Sequence, residues 1–212
     1  MCGVIGAYVE KPESTDFSLL KKLFLESKVR GCHATGVSWV HNKRIHTMKE
    51  PVPADVFIRR HLNFNEIVNE DGNIYLIGHC RYSTSEIKDN QPIANEALSI
   101  VHNGVISQEL PENWKELYGY DCSTSNDTEL LHNCLLFDKD PIEVWGESSM
   151  AVCELRSDKT IHGYRNGKRP LYYSDTKNAR YITSTKDIAI RAGLKCPKPY
   201  ICDNDDWQLQ HD

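Results

Sequence analysis

The amino-acid sequence predicts an α+β fold, with helices layered against antiparallel sheets. Strand-length apolar runs arrive in bursts, helical periodicities fall between those bursts, and turn residues join several of the later runs directly. A parallel, doubly wound sheet would instead need a crossover of helix length after nearly every strand.

In chain order, "CGVIGAYV" (2–9) is the first strand. A helix over 16–29 follows, with Phe17, Leu20, Leu23, Phe24 and Val29 on one face. "TGVSWVH" (35–41) and "RIHTM" (44–48) form a hairpin about Asn42-Lys43, and residues 53–62 carry a second helical pattern. "NIYLIGHCR" (73–81) and "LSIVHNGVI" (98–106) are the next strands. Asn126 followed by Glu129 at the head of "DTELLHNCLLF" (127–137) is a capping-box pattern, in which each side chain satisfies a free backbone N–H at the helix start. Four more strands follow: "SMAVCEL" (149–155), "TIHGYR" (160–165), "LYYSD" (171–175) and "RYITS" (180–184). A helix over 184–192 and an alternating edge strand in "WQLQHD" complete the reading. No repeat, low-complexity tract or linker interrupts the chain, so residues 2–212 read as one domain.

Composition narrows the function. Of 212 residues, 40% are hydrophobic and 26% charged, enough to fill a real core. The formal net charge of -5 argues against a nucleic-acid or anionic-membrane partner. Neither a membrane-length apolar run nor a signal-peptide pattern is present, which points to a cytoplasmic protein. The 8 cysteines form no C-x-x-C pair and no spaced pair of pairs, so neither a disulfide framework nor a metal site is expected.

Four features carry possible chemistry. Cys2 directly follows Met1. If Met1 is removed, Cys2 bears both a thiol and an α-amine with an ordinary pKa of about 7.7–8.0, a nucleophile carrying its own base. The competing reading is a small buried strand residue with Met1 retained. Arg81 closes a strand in "GHCRYST" (78–84), where a planar fork can bind a carboxylate or simply face solvent. Asn103-Gly104 in "VHNGVI" (101–106) is either a hairpin turn or an oxyanion hole built from a side-chain amide and a backbone N–H. Asp127 in "SNDTELL" is either a dipole-favoured acid in a first helical turn or the receiver of a substrate ammonium.

Together, in this order, these features resemble the class II glutamine amidotransferases, whose catalytic domains are N-terminal-nucleophile hydrolases. "MCGVIG" resembles the family's start and "RGCHATG" (30–36) its RGxDSxG segment. "GHCRYST" with "NQP" (90–92) is closest to the amidophosphoribosyltransferase form, and "VHNG" and "NDTE" match well. "NGKRPLYY" (166–173) and "ITSTKDIAI" (182–190) resemble a G-x-RPL hairpin and a late strand-to-helix element. The resemblance covers most of the chain.

It implies a four-layer αββα sandwich and hydrolysis of L-glutamine to glutamate and ammonia, with no metal or organic cofactor. On the matching positions Cys2 is the nucleophile, and Asn103 and Gly104 form the oxyanion hole. Arg81 binds the α-carboxylate and Asp127 the α-ammonium. Tyr82 and Thr84 line the pocket, and Arg30 supports its floor. His33 stands where the family usually has an acid, and Ser85 where relatives carry His or Ala. With no acceptor domain after Asp212, the ammonia is expected to pass to a separate synthase. An amidohydrolase that cleaves a γ-glutamyl amide in a larger metabolite fits the same residues, and a catalytically silent module would need Met1 retained. The oligomeric state is left open.

Overall fold

The structure is a computed structural model that describes residues 2–82, 89–200 and 207–208. Its first half comprises β1 (Gly3–Val9), α1 (Ser14–Ser27), β2 (Ala34–His41), β3 (Arg44–Glu50), α2 (Ala54–His61), α3 (Phe64–Ile67), β4 (Ile74–Arg81), β5 (Ile93–Ala94) and β6 (Leu98–Val105). A 3-10 turn (Pro111–Asn113), α4 (Trp114–Tyr118), α5 (Thr128–Leu136) and α6 (Pro141–Val144) follow. The chain then runs through β7 (Ser149–Arg156), β8 (Ile161–Arg165), β9 (Tyr172–Asp175), β10 (Ala179–Thr183), α7 (Lys186–Ala192), β11 (Lys198–Pro199) and β12 (Trp207–Gln208).

Two antiparallel sheets result, ordered β11-β9-β10-β1-β4-β2-β3 and β12-β8-β7-β6-β5. Strand periodicity explains how they stack, because successive side chains point to opposite faces. In β1, Ile5, Ala7 and Val9 join Leu20, Leu23 and Phe24 of α1 and Ile188 of α7 in one core. Val4 and Tyr8 of the same strand point the other way, into a second core with Ala151, Cys153 and Leu155 of β7. The far face of the second sheet (Ile100, Met150, Val152) packs against Leu130, Leu131 and Cys134 of α5. The layers are therefore helix, sheet, sheet, helix, the αββα order expected. A strand buried on both faces needs a continuous apolar run, which is why β1 reads "GVIGAYV" rather than alternating with polar residues.

Helix α1 approaches its sheet closely because Gly78 of β4 has no side chain: an added Cβ would lie 2.5 Å from the Phe24 ring. Phe24 is fully buried, and its replacement by alanine should cost about 3–5 kcal/mol. Asn42 and Lys43 adopt positive φ of 51° and 57°, the conformation of a two-residue turn that follows strand twist.

Three expectations are corrected. Helix α1 ends at Ser27, and Val29 lies beyond it, 67% exposed, rather than on the buried face. Asn103-Gly104 is not a turn: both residues lie inside β6, opposite Ala151 and Met150 of β7. The capping box does not form: the cap of α5 is Asp127, whose side chain makes no capping bond. Asn126 Oδ1 accepts from the Thr128 N–H at 3.2 Å, but the Glu129 carboxylate bonds to Ser123 and Thr124 instead of reaching back. No helix among the described residues is long and apolar enough to cross a membrane.

Candidate functional site

The antiparallel pairing of β1 with β4 brings the start of one beside the end of the other, since Gly3 faces Cys80. Cys2 and Arg81 therefore emerge at the same edge of the first sheet. The end of β6 in the second sheet meets them there. The Cys2 backbone nitrogen donates to Asn103 Oδ1 at 3.0 Å. A cleft of about 810 Å3 opens at this edge, and Cys2, Arg81, Tyr82, Asn103, Gly104 and Asp127 all line it. Arg30 lies beside Cys2, its Nε donating to the Cys2 carbonyl at 3.5 Å. Thr84 and Ser85 fall outside the described residues.

The bond from Cys2 fixes the orientation of the Asn103 amide, because only its oxygen can accept. The other end, Nδ2, is buried and has no hydrogen-bond partner among the described residues. A buried donor left unsatisfied costs about 1–3 kcal/mol, so its persistence at a cleft marks it as a group awaiting an acceptor. Gly104 follows directly. A Cβ there would run into the Ser149 carbonyl and lie 2.6 Å from His102 Nε2, so only glycine fits this strand position.

Cys2 is held at both ends. Its carbonyl accepts from Ser184 Oγ at 3.3 Å as well as from Arg30, and its Sγ lies 4.0 Å from the Tyr82 carbonyl. Burial pushes the thiol above its ordinary value, and the Tyr82 contact with the nearby positive charges of Arg81 and Arg30 offsets this only in part. A thiol in that state needs a base to become a thiolate.

Arg81 is 6% exposed. Its Nη1 donates to the Asp89 carbonyl and, at 2.8 Å, to Asn90 Oδ1. Burial draws its pKa down, opposed by Cys2, Asp89 and Asp127, but a guanidinium stays protonated throughout. Asp127 Oδ2 accepts from the Ile106 N–H at 2.6 Å and the Ser107 N–H at 3.4 Å. Its Oδ1 has no hydrogen bond among the described residues. His33 stacks its ring 4.9 Å from Tyr82 and donates its backbone N–H to the Arg81 carbonyl at 3.0 Å, so the segment is tied to the cleft wall without the family's acid.

Sequence reasoning missed several contributors. Ser184 anchors the Cys2 carbonyl, Gln91 Oε1 accepts from the His102 N–H at 2.6 Å, and Asp89, His102 and Arg169 also line the cleft. "NQP", "VHNG", "NGKRPLYY" and "ITSTKDIAI" contain Gln91, His102, Arg169 and Ser184, but as motifs without roles for these residues, and Asp89 lies in none of them. No group of three or more His, Cys, Asp or Glu residues arranged to hold a metal occurs among the described residues.

Comparison with known proteins places this geometry. A family model described as a glutamine amidotransferase domain matches residues 79–192. Glutamine–fructose-6-phosphate aminotransferase (isomerizing) of Clostridium perfringens is 31% identical over 147 residues, covering 65% of this chain and 22% of that protein. The Bartonella quintana protein of the same name is 32% identical over 137 residues, covering 62% and 21%. The chain thus spans about a fifth of the length of these curated relatives. Among solved structures, glutamine phosphoribosylpyrophosphate amidotransferase from B. subtilis, complexed with ADP and GMP, superposes with a TM-score of 0.69 at 20% identity. That match covers 91% of this chain and 44% of the other, and a structure described as the allosteric regulatory enzyme of purine biosynthesis gives a TM-score of 0.65. At such identity the superpositions speak for the αββα fold alone, while the family match spans more than half of the sequence. The chain belongs to the class II glutamine amidotransferase domain family.

Proposed function

We propose that residues 2–212 form one glutaminase domain, which hydrolyses L-glutamine to glutamate and ammonia through a γ-glutamyl thioester on Cys2. The observation that carries the reading is the buried Asn103 Nδ2, without a partner among the described residues, beside Cys2 in a cleft that Arg81 and Asp127 also line. Free glutamine is a zwitterion with a distal amide. Arg81 suits its α-carboxylate and Asp127 Oδ1 its α-ammonium, and both line the same cleft as Cys2.

The chemistry follows from these positions. With Met1 removed, the Cys2 α-amine keeps its bond to Asn103 Oδ1 and accepts the thiol proton, directly or through one water. The thiolate attacks the amide carbon Cδ, and the electron pair of the C=O bond moves onto oxygen. Asn103 Nδ2 and the Gly104 N–H stabilise that oxyanion. Collapse breaks the C–N bond as the ammonium of Cys2 returns its proton to the departing nitrogen, which leaves as ammonia. The same amine then takes a proton from water, whose oxygen adds to the thioester carbonyl. The C–S bond breaks, the sulfur is reprotonated, and glutamate leaves. Arg30 and Ser184 keep the Cys2 backbone fixed through both halves.

We assign the ammonia to a separate synthase. This reading draws on the curated relatives, whose name pairs glutamine with fructose 6-phosphate. A cytoplasmic setting fits the free thiols of the described cysteines, since an oxidising compartment favours disulfides. The direct test is labelling of processed protein with a chloroketone analogue of glutamine. A single adduct on Cys2, prevented by excess glutamine, is expected. Adducts on other cysteines, or none, would count against the assignment.

A further inference from the structure

The segment 89–92 is bonded to Arg81, to β6 next to Asn103 and to the two residues before Asp127. Lys49 Nζ holds it from β3, donating to the Asn90 and Pro92 carbonyls at 2.7 and 3.0 Å. Gln91 reaches β6 one residue before Asn103. Asp89 makes the densest junction. Its carbonyl accepts from Arg81 Nη1 and, at 2.8 Å, from Asn126 Nδ2. Its carboxylate Oδ2 accepts from the Ser125 backbone N–H at 3.0 Å and the Ser125 hydroxyl at 2.6 Å. One residue thus grips the side chain of Arg81 and the two residues that lead into Asp127.

The other end of the same loop is fixed independently. The Glu129 carboxylate accepts the backbone N–H groups of Ser123 and Thr124 at 2.8 and 2.7 Å, and their hydroxyls at 2.9 and 2.6 Å. Glu129 belongs to α5 and ties the loop to its own helix. Asp89 ties it across to the end of β4, in the other sheet. Charge-assisted bonds of this kind are short and directional, so they set distances rather than merely adding attraction.

We propose that Asp89 is a positioning residue that sets the spacing between the Arg81 guanidinium and the Asp127 carboxylate. It thereby selects substrates that carry an α-carboxylate and an α-ammonium together. The inference rests on the glutaminase reading above. Both α-groups lie away from the bond that breaks, so a change in their spacing falls on binding and on discrimination more than on the chemical step.

The experiment compares processed wild type, Asp89→Ala and Asp89→Asn with glutamine and with glutaramate, which lacks only the α-amino group. The rate of Cys2 alkylation by iodoacetamide, which needs neither α-group, is measured on the same samples. For Asp89→Ala the KM for glutamine should rise about tenfold, the scale of losing bonds to a charged group. The preference for glutamine over glutaramate should shrink while alkylation keeps its rate. Asp89→Asn, which retains one acceptor oxygen, should fall between. An unchanged KM and preference in Asp89→Ala, with active wild type, overturns the inference alone. An equal loss on both substrates together with altered alkylation shows general loosening and also overturns it. Wild type that neither binds nor hydrolyses glutamine overturns the glutaminase reading and this inference with it.

Discussion

The backbone nitrogen of Cys2 and the side-chain oxygen of Asn103 are hydrogen-bonded at 3.0 Å, across 101 residues of sequence and between the two sheets. This bond uses the amide oxygen and leaves the buried nitrogen without a partner among the described residues. Asn103→Asp keeps an acceptor for Cys2 but offers no donor to an oxyanion. It should lower kcat by about 10²–10³, the usual cost of one lost oxyanion donor. Steady-state glutamate release checks this, and a kcat near wild type would remove Asn103 from the oxyanion hole.

Gly104→Ala tests the strand geometry next door. Its new Cβ meets the Ser149 carbonyl, which β-pairing prevents from moving away. Overpacking of this kind should cost about 1–3 kcal/mol in stability and displace the Gly104 backbone, whose N–H is proposed as the second oxyanion donor. Thermal unfolding and turnover should both fall. An alanine variant that is fully stable and active would show that close approach is unimportant here.

Arg81→Lys keeps the charge and removes the fork. Lysine cannot supply two parallel donors to a carboxylate while also satisfying the Asp89 carbonyl and Asn90. The KM for glutamine should rise by about tenfold or more, with a smaller change in kcat. Initial rates over a range of glutamine concentrations decide it, and an unaltered KM argues that the α-carboxylate binds elsewhere.

Much of this was legible in the sequence because local chemistry dictated it. The apolar run of β1 had to be a doubly buried strand, and Asn42-Lys43 reads as the turn between two strand-like runs, where Asn takes positive φ readily and Lys43 is carried into it by the two-residue hairpin. That Cys2, Arg81, Asn103, Gly104 and Asp127 would meet in one cleft could be expected because their order along the chain resembles a family pattern. The remainder is tertiary. Asn-Gly looks like a turn locally, and only its partners in β7 hold it as strand. Val29 fits the helical period, but the helix ends before it. Glu129 fits a capping box, but the loop at 123–124 offers it four donors and wins. Asp89 carries no motif, and what sets it apart is that it joins Arg81, 8 positions before it, to residues 36 and 37 positions after it.

Acid should destabilise the protein through its buried histidines. Burial, reinforced by the positive charge of Arg81, holds the His79 pKa down at about 3, and burial lowers His102 and His132 as well. In the unfolded chain such a group takes up its proton near its ordinary value of about 6.5. Between these values the unfolded state binds more protons, so stability rises with pH across the window and is lost as pH falls from neutrality. His79 should contribute a slope approaching about 1.4 kcal/mol per pH unit once the pH is well below 6.5, and His102 and His132 act in the same direction. Urea unfolding at pH 5 and pH 7 measures it, and equal stability at the two values would contradict the neutral, buried state of His79.

The central claim is that Cys2, with its own free amine, is the nucleophile. The most direct measurement is glutamate release from glutamine by protein whose first residue is Cys2, run beside Cys2→Ala prepared in the same way. Turnover in the first and none in the second, with both folded, is the expected result. Equal glutamate release by Cys2→Ala would contradict it.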